Sequence, residues 1–263
     1  MELTILKPLL DLFFPVKCES CFQPKNESSN PLGWLCFDCQ KKIFLNDWVF
    51  CPACNKKSPP LPQLGEKRNA ARQARATPEA TAWQACSKHK TALRWLGAAG
   101  NYEDSVLKPL IWRFKYGFSE EIGEVLSRII FKYFEKIFEK TKLDKEKTII
   151  SFIPLSPKKE RWRGFNQSRV LAQNLAAKTG FKLVETLERK KHRPPMMSLQ
   201  TKEQRLENIK NSFAPKNPLE FRHKDILVVD DVCATGATLL EAGKTLKQSG
   251  ADNVFGLVLA RRL

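Results

Sequence analysis

The chain has 263 residues, 42% of them hydrophobic, enough for one substantial core and a smaller module beside it. Its 45 lysines and arginines against 28 aspartates and glutamates leave a formal charge of +17, a balance that favours polyanions, whether nucleic acid or phosphorylated small molecules. No stretch reaches the length of a membrane span: the apolar N-terminal run is broken by Lys7, Pro8 and Asp11 and reads as an amphipathic helix, not a signal peptide, so a cytoplasmic location is expected.

Seven of the eight cysteines precede residue 87. Cys18-x-x-Cys21, Cys36-x-x-Cys39 and Cys51-x-x-Cys54 are three knuckles of one spacing, and Cys86-Ser-Lys-His89 repeats it with histidine as the second donor. Four such pairs supply the eight N/S ligands of two tetrahedral zinc sites. In a reducing compartment metal is the better reading than disulfides. Pairing the knuckles in sequence order gives a four-cysteine site and then a three-cysteine, one-histidine site, although spacing alone leaves the pairing open. Sites ligated entirely by protein serve folding or partner binding, not catalysis. Trp34, Phe37, Trp48 and Phe50, beside the knuckles, are expected to form the small core of a ribbon. Between the last two knuckles, SPPLPQLGEKRNAARQARATPEAT reads as a mobile basic loop.

From Trp95 the composition becomes that of a larger domain. GAAGNYEDSVLKPLIWRFKYG predicts a short strand and then a helix with Val106, Leu110, Ile111 and Phe114 on one face. The next segment is apolar at Ile122, Val125, Leu126, Ile129, Ile130, Tyr133, Phe134, Ile137 and Phe138, a broad core-facing helical stripe. Thr148 to Leu155 is a buried strand ending in SPKKERWRGFNQS, a loop dense in Lys158, Lys159, Arg161 and Arg163 and suited to a phosphate or pyrophosphate. A helix over Gln167 to Thr179 follows, then a strand near Lys182 to Leu187. The basic stretch RKKHRPPMMSLQTKEQRLENIKNSF could cover a ligand as a flap, its second half helical over Thr201 to Asn211. His192 and His223 lack neighbours at ligand spacing.

Ile226-Leu227-Val228-Val229 is a continuous branched-apolar run, as in a strand buried on both faces of a parallel sheet. Asp230 and Asp231 follow at once, and Thr235-Gly236-Ala237-Thr238 opens a helix, Leu239 to Gln248. Ligands of open parallel sheets bind beyond the carboxyl ends of strands. The first N–H groups of a helix lack intrahelical partners and favour an anion. Gly236 permits close approach, and Thr235 and Thr238 add hydroxyl donors. The two carboxylates can accept from vicinal sugar hydroxyls, directly or through Mg²⁺. Together these groups describe a site for a ribose 5-phosphate. Cys233 has no nearby histidine in sequence and reads as a small turn-packing residue. A last strand is expected over Asn253 to Ala260, and alternating strands and helices make the sheet α/β.

Four apolar residues, two acids and Thr-Gly-x-Thr resemble the phosphoribosyl pyrophosphate (PRPP) motif of type I phosphoribosyltransferases. That resemblance implies that Asp230 and Asp231 hold the ribose hydroxyls, and that Ala234, Thr235, Gly236, Ala237, Thr238 and Leu239 surround the 5′-phosphate. Over nearly its whole length the chain resembles the ComF family of competence-related proteins. Its landmarks here are Tyr102, Lys115 in RFKYG, Pro154, Arg163-Gly164-Phe165-Asn166-Gln167, then Gln200, Arg205, Asn208 and Phe213. The resemblance implies an α/β fold, a type I phosphoribosyltransferase-like, mostly parallel sheet flanked by helices. It also implies a zinc-ribbon domain over 1–94, with its mobile loop near 56–83, and a PRPP-binding domain over 95–263. Lys115, Lys158, Arg161, Arg163, Gln200 and Arg205 become candidates for pyrophosphate contact or for the flap. The implied function is an accessory protein of natural transformation that binds PRPP or a ribose phosphate, with Mg²⁺, and handles incoming single-stranded DNA beside a competence helicase. Purine-salvage relatives carry an acid immediately before the Thr-Gly, where Ala234 stands here and can hold no proton. The alternative, a catalytically active phosphoribosyltransferase, would act on an unidentified base or amine that brings its own nucleophile.

Overall fold

The computed structural model describes residues 17–23, 34–58, 89–117, 119–141, 143–190 and 209–262. Cys86, Gln200, Arg205, Asn208, His192, nearly all of the basic loop near 56–83 and most of the helix expected over Thr201 to Asn211 lie outside them.

Helix α1 (Phe37–Lys42) and a minimal hairpin, β1 (Val49–Phe50) and β2 (Lys57–Ser58), come first. Strand β3 (Leu96–Asn101), α2 (Leu107–Tyr116), α3 (Ile122–Thr141), β4 (Thr148–Phe152), α4 (Pro157–Arg163), α5 (Gln167–Thr179) and β5 (Lys182–Leu183) follow. A separate pair, β6 (Leu187–Arg189) and β7 (Phe213–Pro215), precedes β8 (Asp225–Cys233), α6 (Ala237–Gln248) and β9 (Asn253–Arg261). The main sheet has seven strands in the order β2-β1-β3-β9-β8-β4-β5, and β3, β9, β8, β4 and β5 are parallel. Strand β8 is paired along both edges, which is why Ile226 to Val229 can be continuously apolar.

Alternation along β8 divides the core. Leu227 and Val229 join the cluster formed with α2, α3 and α5, including Leu110, Phe114, Ile130 and Leu171. Ile226 and Val228 join the other, with Ala242 and Leu246 of α6. Burying each of the leucine, isoleucine, valine and phenylalanine side chains stabilises the fold by about 1.5–3 kcal/mol relative to leaving it exposed. No helix among the described residues is long and apolar enough to cross a membrane.

Several expectations change. The basic segment after β4 is not a loop: Pro157 to Arg163 form a helix whose Ser156 Oγ accepts from the Lys159 N–H, with Gly164 at φ +79 ending it. Ser before Pro at the first helical position is a start signal that outweighed the density of charge. The strand expected from Lys182 to Leu187 splits into β5 and β6, which belong to different sheets. Strand β4 stops at Phe152, whereas β8 runs through both acids to Cys233. Helix α6 starts at Ala237, two residues earlier than expected.

The cysteine-rich segment is joined to the sheet across the boundary expected near residue 94, because β1 pairs antiparallel with β3. Its aromatics do not make a private core: Phe37 is 54% exposed, while Phe50 is buried with the α6 cluster. Tyr133 of α3 ties the two parts together. Its hydroxyl donates to the Trp48 carbonyl at 2.7 Å and accepts from the Ala98 N–H at 3.2 Å. Burial pushes its pKa far up, so the hydroxyl keeps its proton.

Candidate functional site

Strand β8 carries Asp230 and Asp231 to the carboxyl end of the sheet, and the turn after Cys233 leads directly into α6. Gly236 lies at φ +80, a left-handed position that glycine adopts without cost, and a Cβ there would meet the Pro52 carbonyl at 3.4 Å. The Thr235 Oγ1 accepts from the Ala237 N–H at 3.4 Å. Ala234 is exposed and Thr235 and Thr238 are half-buried, so this corner of the turn reaches the surface.

The acids are held differently. Asp230 accepts from the Ser168 hydroxyl at 2.7 Å and from the Asp231 N–H at 2.9 Å. Burial, then the charge of Asp231, push its pKa up to about 7, against the lowering effect of Ser168, that N–H and Lys115. Asp231 is 8% exposed and forms an ion pair with Lys115 at 2.9 Å. Ser168 is in place because Asn166 caps α5, accepting from the Ser168 and Arg169 N–H groups while its amide donates to the Ile153 carbonyl. Gln167 links three helices, accepting from Arg163 at 3.0 Å and donating to the Phe114 carbonyl at 3.2 Å.

Cations from three elements meet beside the acids. Lys159 has its pKa lowered by burial and then by the charges of Arg189, Arg163 and Lys115. Arg189, on the small β6–β7 sheet, is likewise lowered by burial, with Asp230 opposing. Like charges gathered in a half-buried space favour an anion there. Of the basic residues expected at the site, Lys115 and Arg163 belong to this group, whereas Lys158 and Arg161 are exposed on α4. Ser168 and Arg189 were not singled out in sequence. Ser168 is the residue after the Arg-Gly-Phe-Asn-Gln landmark, but nothing local marks Arg189. Two cavities of about 340 and 390 Å³ lie elsewhere, one beside Glu124 and Asn174, the other beside Leu35 and Ile129. At the acid site Asp231 is already engaged by the Lys115 ion pair.

The knuckles form two clusters. Sγ atoms of Cys18, Cys21, Cys36 and Cys39 all lie within 4.8 Å of one another, and Cys21 and Cys36 are 3.8 Å apart. Tetrahedral zinc with bonds near 2.3 Å places sulfurs about 3.8 Å apart, so the spacing fits. Burial opposes ionisation of Cys18, yet the Cys36, Cys21 and Ser20 N–H groups bring its pKa down to about 6, while burial pushes Cys39 up to about 12. Four crowded thiols cannot all ionise without a cation among them. Cys51, Cys54 and His89 form the second cluster, with Cys51 Sγ 3.9 Å from His89 Nδ1. The expected fourth ligand, Cys86, lies outside the described residues.

The second cluster adjoins the turn led by Gly236. Besides Pro52 facing Gly236, Asn55 accepts from Arg261, whose guanidinium sits 4.8 Å above the Phe50 ring. Arg261 is 1% exposed, and its Nε and Nη1 have no partner among the described residues. Its charge acts on both Cys51 and Cys233. A buried cation with spare donors suits an anionic metal–thiolate neighbour. Cys233 itself is buried, and burial pushes its thiol up to about 11, the state of a packing residue rather than a nucleophile.

The chain is similar to known proteins. Residues 166–262 match the model of the phosphoribosyl transferase domain family, a span containing α5, the acid pair and the turn. The chain is 28% identical over 233 residues to the DNA utilization protein YhgH of Escherichia coli O6:H1, covering 87% of this chain and 97% of that protein. It is 27% identical over 236 residues to competence protein F of Haemophilus influenzae, covering 88% and 99%, and 26% identical over 233 residues to competence protein ComFC of Bacillus subtilis, covering 86% and 84%. Among solved structures, the allosteric regulatory enzyme of purine biosynthesis aligns with a TM-score of 0.38 and 13% identity over 56% of this chain and 30% of that one, too slight a likeness to bear on the fold. With residues 166–262 matching the phosphoribosyl transferase domain family and similarity to competence protein F along most of its length, the chain is similar to the ComF family of competence proteins.

Proposed function

We propose that this protein binds PRPP, or a related ribose phosphate, at the end of β8 and serves as an accessory protein in the cytoplasmic handling of incoming single-stranded DNA during natural transformation. The observation that carries the pocket assignment is the meeting of Asp230 and Asp231 with Lys115, Lys159, Arg163 and Arg189 beside the turn led by Gly236. In this reading the acids accept from the ribose hydroxyls once Lys115 leaves Asp231, and Thr235, Thr238 and the first N–H groups of α6 receive the 5′-phosphate. The four cations face the pyrophosphate, and Asp230 and Asp231 would help hold Mg²⁺, which would supply charge neutralisation to the phosphates. The Cys18, Cys21, Cys36 and Cys39 cluster and the Cys51, Cys54 and His89 cluster would each hold zinc, which would fix the cysteine-rich segment, the second of them beside the turn. The DNA-handling role rests on the names of the relatives and on the charge of +17, and a competence helicase as partner rests on the family resemblance of the sequence.

Calorimetric titration with PRPP and Mg²⁺ tests the pocket. Saturable binding by the wild type, lost in a folded D230N/D231N variant, is the expected result; equal binding by both would refute it. Following pyrophosphate release with a panel of bases and amines separates a binding protein from an active phosphoribosyltransferase.

A further inference from the structure

The chain presents to solvent rings that its core does not use. Trp112 on α2 is 59% exposed and Trp162 on α4 is 58% exposed. Between them stands Tyr116, its ring 5.6 Å from that of Trp112 and 5.9 Å from that of Trp162. Helix α2 buries Leu107, Leu110, Ile111 and Phe114, which puts Trp112 and Tyr116, four residues apart, together on its other side. Three contacting rings from two helices make a continuous aromatic surface, and exposed apolar patches of this kind mark interaction sites.

Cations interleave with the rings. The Arg163 guanidinium lies 5.5 Å above the Tyr116 ring. Lys115, next to Tyr116, reaches Asp231, so one end of the surface opens on the acid pair. Residues on both helices therefore contribute twice, a ring outward and a charge toward the pocket: Tyr116 with Lys115, Trp162 with Arg163.

The geometry points to a base-stacking shelf for single-stranded nucleic acid on Trp112, Tyr116 and Trp162, continuous with the sugar-phosphate pocket through Lys115 and Arg163. Unpaired bases offer flat faces to such rings, and their phosphates need the adjacent cations. Duplex hides those faces. An apolar protein partner gains nothing from the interleaved charge, whereas a polyanion matches both the local cations and the net +17. The shelf rests on reading the neighbouring pocket as a phosphate site and names the surface that would hold the strand.

Fluorescence anisotropy with a labelled oligothymidylate of roughly twenty nucleotides tests it. The W112A/W162A variant should bind roughly tenfold or more weakly, and W112F/W162F, which keeps the rings, should recover most of the loss. Calorimetric PRPP binding should be unchanged in both, while D230N/D231N should lose PRPP and keep the oligonucleotide, so failure of the pocket and failure of the shelf are read separately. Unchanged oligonucleotide affinity in W112A/W162A would overturn the shelf and leave its rings to a protein partner. Equal loss in the phenylalanine variant, or equal binding of duplex, would overturn it as well.

Discussion

Lys115 and Asp231 are joined by a 2.9 Å ion pair, with side chains only 17% and 11% exposed, at the point where a ribose hydroxyl would be received. The pair solves a problem for the ligand-free protein: two adjacent carboxylates at the end of a buried strand need a counter-charge. It also means that a ligand must displace an internal partner before it can use Asp231.

Replacing Lys115 with Met leaves that carboxylate unpaired and should destabilise the protein by about 1–3 kcal/mol in chemical denaturation. K115M/D231N should recover most of the loss, because the two residues are in contact and their effects are not additive. Equal instability of the single and double variants would show that the pair contributes little.

Asp230 gives the stability a direction with pH. Its carboxyl is protonated up to about pH 7 in the folded chain and near pH 4 in the unfolded one, so folding favours the protonated form. That contribution is complete below about pH 4 and is lost as pH rises through about 7. D230N, which cannot ionise, should therefore be more stable than wild type at pH 8, by an amount on the order of a few kcal/mol, with the gain vanishing toward pH 4. Thermal melts across that range check this; a constant offset would contradict it.

Much of this site is legible in the residues, and the gaps have physical causes. The buried run before Asp230, the start of α5 at Gln167 and the stripe of α3 all follow from local periodicity and capping, which act over a few residues. Arg189 does not, because it reaches the acids only through the pairing of β6 with β7, partners separated by more than twenty residues of chain. Nor does the joining of the ribbon to β3, since knuckle spacing specifies ligands and not which sheet edge the hairpin extends. Phe37 and Phe50 show the same limit: both are aromatic neighbours of knuckles, and tertiary contacts alone decide that one is exposed and the other buried.

Tyr133 should matter to the union of the two parts more than its single hydroxyl suggests. Y133F leaves the buried Ala98 N–H and the Trp48 carbonyl without that partner, for a loss of about 1–3 kcal/mol in global stability. A change within a few tenths would mean that these groups find replacements.

Metal content should follow the clusters. Elemental analysis is expected to give two zinc ions per chain, with C36S losing the first and H89A the second. Chelation should lower the melting temperature by several degrees or more, since binding energy at such sites is folding energy. One zinc in the wild type would dismiss the second site.

Gly236 connects that second cluster to the turn before α6, where the proposal seats the 5′-phosphate. Alanine there must adopt φ +80 beside the Pro52 carbonyl, at a cost of about 1–2 kcal/mol. Both stability and PRPP affinity should fall, with zinc content unchanged.

The most direct measurement is a crystal structure of the protein with PRPP and Mg²⁺. The 5′-phosphate should lie against Thr235 to Thr238, the ribose hydroxyls on Asp230 and Asp231, and the Lys115 ammonium should have moved away from Asp231. PRPP bound at another surface, with the Lys115–Asp231 pair intact, would contradict the assignment.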